Sequence, residues 1–224
     1  MFAVDRIAVT GTSPEVAAQV REALAPALGE SLLGLDVADV ERRAEQVPMV
    51  ASVSLDRAFP HTLAIAVLPE VPVAVLRQGA SSWLVAAGGR VVAELPPRAR
   101  RALPRIWLKR DVDVQVGERL RGAPLRAVGA VAPLVAKPLP VAVAAVTAIG
   151  GELTLTLRTG LELRLGDSFD LEVKLEVARQ LLPRIGGLAG YLDVSVPERP
   201  VAGETLDSQV ELESASSLVP AGTD

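Results

Sequence analysis

The sequence predicts an α+β protein: a small β-α-α-β-β unit followed by a mixed, mostly antiparallel β domain with two helices. Three observations carry this. Apolar residues recur at helical spacing in four stretches and alternate with small or polar residues in most others. The 18 glycines and 17 prolines fall largely between those stretches, where turns belong. The net charge changes sign twice along the chain: −4 over residues 1–69, +5 over 70–202 and −5 over 203–224. These blocks are taken as a first domain, a second domain and a disordered acidic tail.

The first element is a strand, Phe2 to Thr10. Phe2 and Val4 share one parity and Ile7 and Val9 the other, so a bend is expected near Asp5–Arg6. Ser13 before Pro14 caps a helix whose apolar stripe is Val16, Val20, Ala23 and Leu24. Asp36 caps a second helix, with Val37, Val40, Ala44 and Val47 inward and Pro48 as its stop. Ala51, Val53 and Leu55 alternate with polar residues, a turn spans Arg57–His61, and Leu63, Ile65 and Val67 return. The order places two helices on one face of a three-stranded sheet.

The second block opens with a strand at Pro72–Leu76. Trp83–Val85, Gly88-Gly89 and Arg90–Val92 form a hairpin. A basic loop covers Pro96–Arg105, then Ile106–Leu108 makes a short strand. A helix runs from about Pro124. Three strands follow at Val141–Val146, Glu152–Leu157 and Leu161–Leu165. Asp167 or Ser168 caps a helix with the stripe Leu171, Leu175, Ala178, Leu182, ended by Gly186-Gly187. Tyr191 to Val196 is the closing strand, and Pro197 and Pro200 stop it from extending. A closing strand is a natural sheet edge.

Half of the residues are hydrophobic, mean hydropathy is +0.35 and 22% are charged, which excludes a disordered chain. The most apolar run, Val128–Gly151, contains Lys137, Pro133, Pro138 and Pro140, so it reads as a helix, a turn and a buried strand rather than a membrane span. The N-terminus lacks the pattern of a signal peptide. The overall charge of −4 argues against nucleic acid as partner.

No catalytic constellation emerges. Cys is absent, and the lone His61 lies in a hairpin turn, so the usual zinc ligands are missing. None of Lys109, Lys137 and Lys174 follows a glycine as a phosphate-binding loop requires. Asp111 with Asp113, and Asp167 with Asp170, read as turn and cap carboxylates more readily than as cation ligands. No cofactor and no metal are expected, and the protein is read as not an enzyme. The basic stretch Arg98, Arg100, Arg101, Arg105, Lys109 and Arg110 has two readings: a solvated loop, or contact with anionic lipid or wall polymer.

Several pieces together resemble a known family. They are Phe2-x-Val4-x-x-Ile7-x-Val9-x-Gly11, Leu35-Asp36, Pro48-x-Val50, and Arg57-x-x-Pro60-x-x-Leu63-x-Ile65-x-Val67. They continue through Pro72-Val73-Ala74, Trp83-Leu84-Val85 with Gly89-Arg90-Val91-Val92, Leu103-Pro104, Gly166-Asp167 with Lys174, and Tyr191-Leu192-Asp193-Val194-Ser195-x-Pro197. In order and spacing over residues 2–202 the chain resembles the FtsQ/DivIB family of bacterial division proteins, whose first domain is a POTRA domain. Two positions depart: Ala86 stands where the family has Asp, and Pro69-Glu70 where it often has Glu-Arg.

The resemblance implies a non-catalytic scaffold of the divisome. It would dock FtsB/FtsL-like partners outside the membrane through the last strand of its second domain and help control septal wall synthesis. Tyr191, Leu192, Asp193, Val194, Ser195 and Val196 are the partner-binding residues so implied. That agrees with the physics of a closing edge strand, whose unpaired backbone groups can be met by a partner strand. The POTRA domain would be a second docking surface for other septal wall-synthesis proteins. The family's single membrane helix lies just before the Phe-x-Val, so the native protein is expected at the division septum, anchored through a segment absent here. Alternatives are another POTRA-containing secretion or assembly module, a cell-wall hydrolase, and a periplasmic-type ligand-binding module.

Overall fold

The computed structural model describes residues 2–96, 102–110, 112–185 and 190–204. The first unit runs β1 (Arg6–Thr10), α1 (Pro14–Ala23), α2 (Val37–Glu45), β2 (Val50–Ala58) and β3 (Thr62–Pro69). Its sheet has the order β1-β3-β2, with β1 parallel and β2 antiparallel to β3. β3 is central, so Leu63, Ile65 and Val67 are buried against Val16, Val20 and Leu24 of the α1 region and Val40 and Ala44 of α2. Ser13 Oγ accepts from Val16 N at 3.4 Å, and Asp36 Oδ1 accepts from Ala38 N at 3.0 Å, so both expected caps form. The expected bend at Asp5–Arg6 divides the first strand. Phe2 to Val4 bonds to residues 29–32, and only Arg6 onward joins β3.

The second unit holds β4 (Pro72–Gln78), β5 (Ser81–Ala86), β6 (Val91–Glu94), β7 (Arg105–Trp107), α3 (Gly122–Val131), β8 (Val143–Ile149), β9 (Glu152–Leu157), β10 (Glu162–Gly166), α4 (Leu171–Ile185), β11 (Tyr191–Asp193) and β12 (Val201–Gly203). These strands make one sheet in the order β12-β11-β10-β9-β8-β7-β4-β5-β6. Most neighbours are antiparallel, and β4–β7, β7–β8 and β10–β11 are parallel. One face is apolar along its length. Leu153, Leu155, Leu157, Leu163, Leu165 and Leu192 pack beneath Val128 and Val131 of α3 and Leu175, Ala178 and Leu182 of α4. Strand alternation sends the intervening residues to the opposite face. Arg105, Trp107, Thr147, Thr154, Arg164 and Tyr191 lie there, and no described helix covers it.

At its far end that same face is closed by a small cluster of Val75, Leu84, Ala86, Val92 and Leu95, with Met49 of the first unit packed on it. Only two residues separate β3 from β4. Arg90, in the β5–β6 turn, donates to the carbonyls of Gly117, Val50 and Gln46 at 3.2, 3.0 and 3.0 Å. Glu70 N donates to Met49 O at 2.9 Å. The α2–β2 corner is thus bonded into the second unit.

Three expectations need correction. The closing strand ends at Asp193 rather than Val196, and it is followed by β12, so Tyr191–Asp193 lies one strand inside the edge. Gly203, assigned to the tail, belongs to β12. Helix α4 starts at Leu171, because Asp167 is engaged elsewhere and Lys174 N bonds to Asp170 O. The disordered tail over 205–224 and the Gly186-Gly187 helix stop lie outside the described residues. None of the described helices is long and apolar enough to cross a membrane. Val128–Gly151 is the end of α3, a proline-containing turn and β8.

Candidate partner-docking site

The β10–β12 end of the large sheet is built by alternation. In β10, Leu163 and Leu165 point into the core, which sends Glu162 and Arg164 to the open face. Parallel register then sets Tyr191 beside Glu162 and Asp193 beside Arg164. Antiparallel register sets Gly203 beside Tyr191 and Val201 beside Asp193.

The Arg164 guanidinium lies 4.0 Å from the centre of the Tyr191 ring, a cation–π contact, and its Nη2 is 3.2 Å from Glu162 Oε2. The other side of the ring arrangement requires a glycine. A Cβ at Gly203 would sit 2.9 Å from the ring and hydroxyl atoms of Tyr191. Arg164, Tyr191 and Gly203 thus form a cross-strand stack that ends at β12. Beyond β12 no described strand pairs, so its outer N–H and C=O groups form a sheet edge.

The six residues expected to bind a partner take different places. Leu192 and Val194 are core, and Val194 N donates to Arg164 O at 2.9 Å. Asp193 accepts from Ser195 N at 2.9 Å and from Ser195 Oγ at 2.6 Å, turning the chain away after β11. Val196 is exposed and Tyr191 is half-buried with its ring on the open face. Tyr191 therefore contributes side-chain surface beside the edge, while the edge backbone belongs to Val201–Gly203. A three-residue strand after Pro200 carries no alternation signal, so nothing in the sequence marked it.

A polar clamp supports this end from below. Lys174 is only 3% exposed, and its Nζ donates to Asp167 Oδ1 at 2.7 Å and to Asp167 O at 3.1 Å. The Lys174 hydrogen bond, aided by Phe169 N–H, holds the Asp167 carboxyl below its usual value of 3.8. Gly166, at φ +66°, lies where a Cβ would come within 2.8 Å of Ser195 Cβ. This packs the end of β10 against the turn after β11.

The other expected polar residues play local roles. His61 Nδ1 lies 3.0 Å from Ala3 O and 3.4 Å from Asp5 Oδ2, tying the β2–β3 turn to the first strand. Asp113 accepts from Gln115 Nε2 at 3.0 Å. Asp111 and the basic residues Arg98, Arg100 and Arg101 lie outside the described residues. Among the described residues no cluster of three or more His, Asp or Glu side chains could hold a metal ion.

Comparison with known proteins agrees with this architecture. Residues 2–68 match the sequence model of the POTRA domain, FtsQ-type. The chain is 30% identical over 207 residues to the cell division protein FtsQ of Streptomyces venezuelae, covering 90% of this chain and 74% of that protein. It is 27% identical over 205 residues to the cell division protein FtsQ of Streptomyces collinus, covering 89% and 77%. With the FtsQ of Streptomyces bingchenggensis the identity is 31% over 109 residues, which span 41% of that relative's length. From its POTRA unit through the sheet that ends at β12, the chain belongs to the FtsQ family of cell-division proteins.

Proposed function

We propose that this chain is a non-catalytic, extracytoplasmic scaffold of the bacterial divisome. It docks an FtsB/FtsL-like partner by β-strand addition and helps control septal cell-wall synthesis. The observation that carries the reading is the outer edge of β12, unpaired among the described residues, beside the Arg164–Tyr191–Gly203 stack. A partner strand laid along Val201–Gly203 gains main-chain hydrogen bonds, and the adjacent aromatic ring supplies an anchor. Of the six residues implied by the family resemblance, Tyr191 contacts the partner directly in this arrangement. Leu192 to Val196 act by holding the platform on which β12 rests.

The POTRA unit offers a second docking surface for other septal wall-synthesis proteins. The native protein sits at the septal membrane, anchored through a segment preceding Phe2. Binding of the FtsB-like protein from the same genome, measured by calorimetry, tests the docking reading. Ala202→Pro takes an N–H from the edge strand, and Tyr191→Ala takes the anchor. Both should weaken binding while the urea midpoint holds. Undiminished binding in both folded variants would sink the reading.

A further inference from the structure

The first unit carries an apolar pole that its core does not use. β1 and β3 are parallel and β2 runs against them, so the start of β1, the end of β2 and the start of β3 share one end of the sheet. β3 leaves the opposite end toward β4. Phe2, Leu33 and Phe59 gather at the first end. Phe2 and Phe59 meet edge to face, with ring centroids 5.2 Å apart and planes at 81°. They nevertheless remain 43% and 53% exposed. Leu33, 65% exposed, is brought there by its neighbours. Leu32 N donates to Phe2 O at 2.7 Å, Arg57 Nε donates to Leu32 O at 2.6 Å, and Arg57 Nη2 donates to Leu35 O at 3.2 Å. His61 braces the pole from behind, because its carbonyl accepts from Asp5 N and Arg6 N at 2.9 and 3.2 Å. The pole is therefore a fixed surface, held by bonded backbone on each side.

We propose that this pole dips into the interface of the lipid bilayer and fixes how the first unit stands on the membrane. The proposal rests on the reading that the native protein is anchored through a segment preceding Phe2, and it adds a second contact to that anchor. Position is the first argument. A chain anchored before Phe2 enters the fold at the pole, while the second unit follows from the other end of the sheet. Shape and composition are the second. Phe59 stands in the turn between β2 and β3 and Phe2 on the approach to β1, so their rings project. Phe and Leu side chains suit the boundary between headgroups and acyl chains. Charge is the third. Asp5, Arg6 and Glu30 are exposed beside Val4 and sum to −1, so apolar insertion rather than attraction to anionic headgroups supplies the affinity. The anchor raises the local concentration of lipid, and a contact too weak to recruit the protein can then still orient it.

Fluorinated phenylalanine tests this, because the chain has three Phe: Phe2, Phe59 and Phe169. Phe169 lies between β10 and α4 in the second unit and is 73% exposed, more than either ring of the pole. The chain has no Cys, so a cysteine added after Asp224 couples it to a maleimide lipid in nanodiscs of phosphatidylcholine and phosphatidylglycerol. This tether brings lipid close without presenting the pole. A nitroxide on the lipid headgroups then relaxes nearby fluorines, read by NMR, with single Phe→Leu variants assigning the signals. Phe2 and Phe59 should relax severalfold faster than on discs without nitroxide, and Phe169 should not. Leu33→Ser with Phe59→Ser should abolish the effect at Phe2 with an unchanged urea midpoint. If that double variant fails to fold, the three-signal pattern of the unaltered side chains still decides. The proposal fails if no signal responds, or if Phe169 responds as strongly as the pole, which would mark exposure alone. It fails if the effect needs phosphatidylglycerol or disappears in high salt, since headgroup charge would then be the ligand. It fails too if Phe2 and Phe59 shift with protein concentration and ignore the nitroxide, which makes a second copy the occupant. Cells whose native protein fractionates away from the membrane would defeat the anchoring reading instead, and would leave the nanodisc result standing.

Discussion

Arg90 in the β5–β6 turn donates through Nη1 to the carbonyl of Val50, 3.0 Å away in the other unit. With its bonds to Gln46 and Gly117, the guanidinium satisfies three carbonyls at once. Arg90→Ala should cost about 1.5–3 kcal/mol, the range for hydrogen bonds to a charged group. Hydrogen exchange should rise at residues 46–50 before it rises in the two cores. Lysine lacks the fork and should not restore protection. Unchanged exchange at Val50 would show that Met49 packing and the Glu70 N–Met49 O bond hold the corner without Arg90.

The Asp167–Lys174 pair should give stability a specific acid dependence. Asp167 titrates below 3.8 in the folded chain, so it binds fewer protons folded than unfolded around that pH. Its contribution is present above 3.8 and is lost as pH falls through the lower folded value. Lys174→Met should remove this component and raise the Asp167 titration toward 3.8, as read by carbon-detected NMR. An Asp167 midpoint that ignores the substitution would contradict this.

At the docking end, Gly203→Val should act through Tyr191. The new Cβ would sit 2.9 Å from the ring, so the ring must leave the Arg164 guanidinium or β12 must shift. We expect loss of partner binding with little change in global unfolding, since β12 buries little. Tyr191→Ala should cost roughly 2 kcal/mol of binding, the threshold of a hot-spot residue. A double variant no weaker than either single one would place both residues in one interaction.

In the large core, Leu155→Ala should destabilise by about 2–5 kcal/mol. Leu155 is fully buried between α3 and α4 on a central strand of the layer. Chemical denaturation would measure it, and a change below about 1 kcal/mol would mean that the site collapses around the smaller side chain.

Much of this molecule is written locally. Leu63, Ile65 and Val67 alternate because one face of β3 is buried, and Ser13 and Asp36 cap because their helices begin where the apolar stripes begin. The start of α4 misled because Asp167 and Ser168 both suit a cap, and the competing partner, Lys174, lies seven residues on. β12 was invisible because its strand character comes from Tyr191–Asp193 beside it and from nothing in Val201-Ala202-Gly203 itself. The Arg90 contact joins residues about forty apart and has no local sign. The family resemblance points to the Tyr191 end of the sheet, and there pattern alone stops one strand short of the edge, which is β12.

The strand order also sets a schedule. The antiparallel run β8-β9-β10 joins close neighbours in sequence and can form early, whereas the parallel pairs β4–β7 and β7–β8 must close longer loops. β12 can add only after β11 has found β10 across the whole of α4. The outer strand β12 is therefore the final described piece of the sheet to be assembled. Under the docking proposed above, a partner that grips β12 would inspect the product as it binds, because chains stalled midway present no such strand.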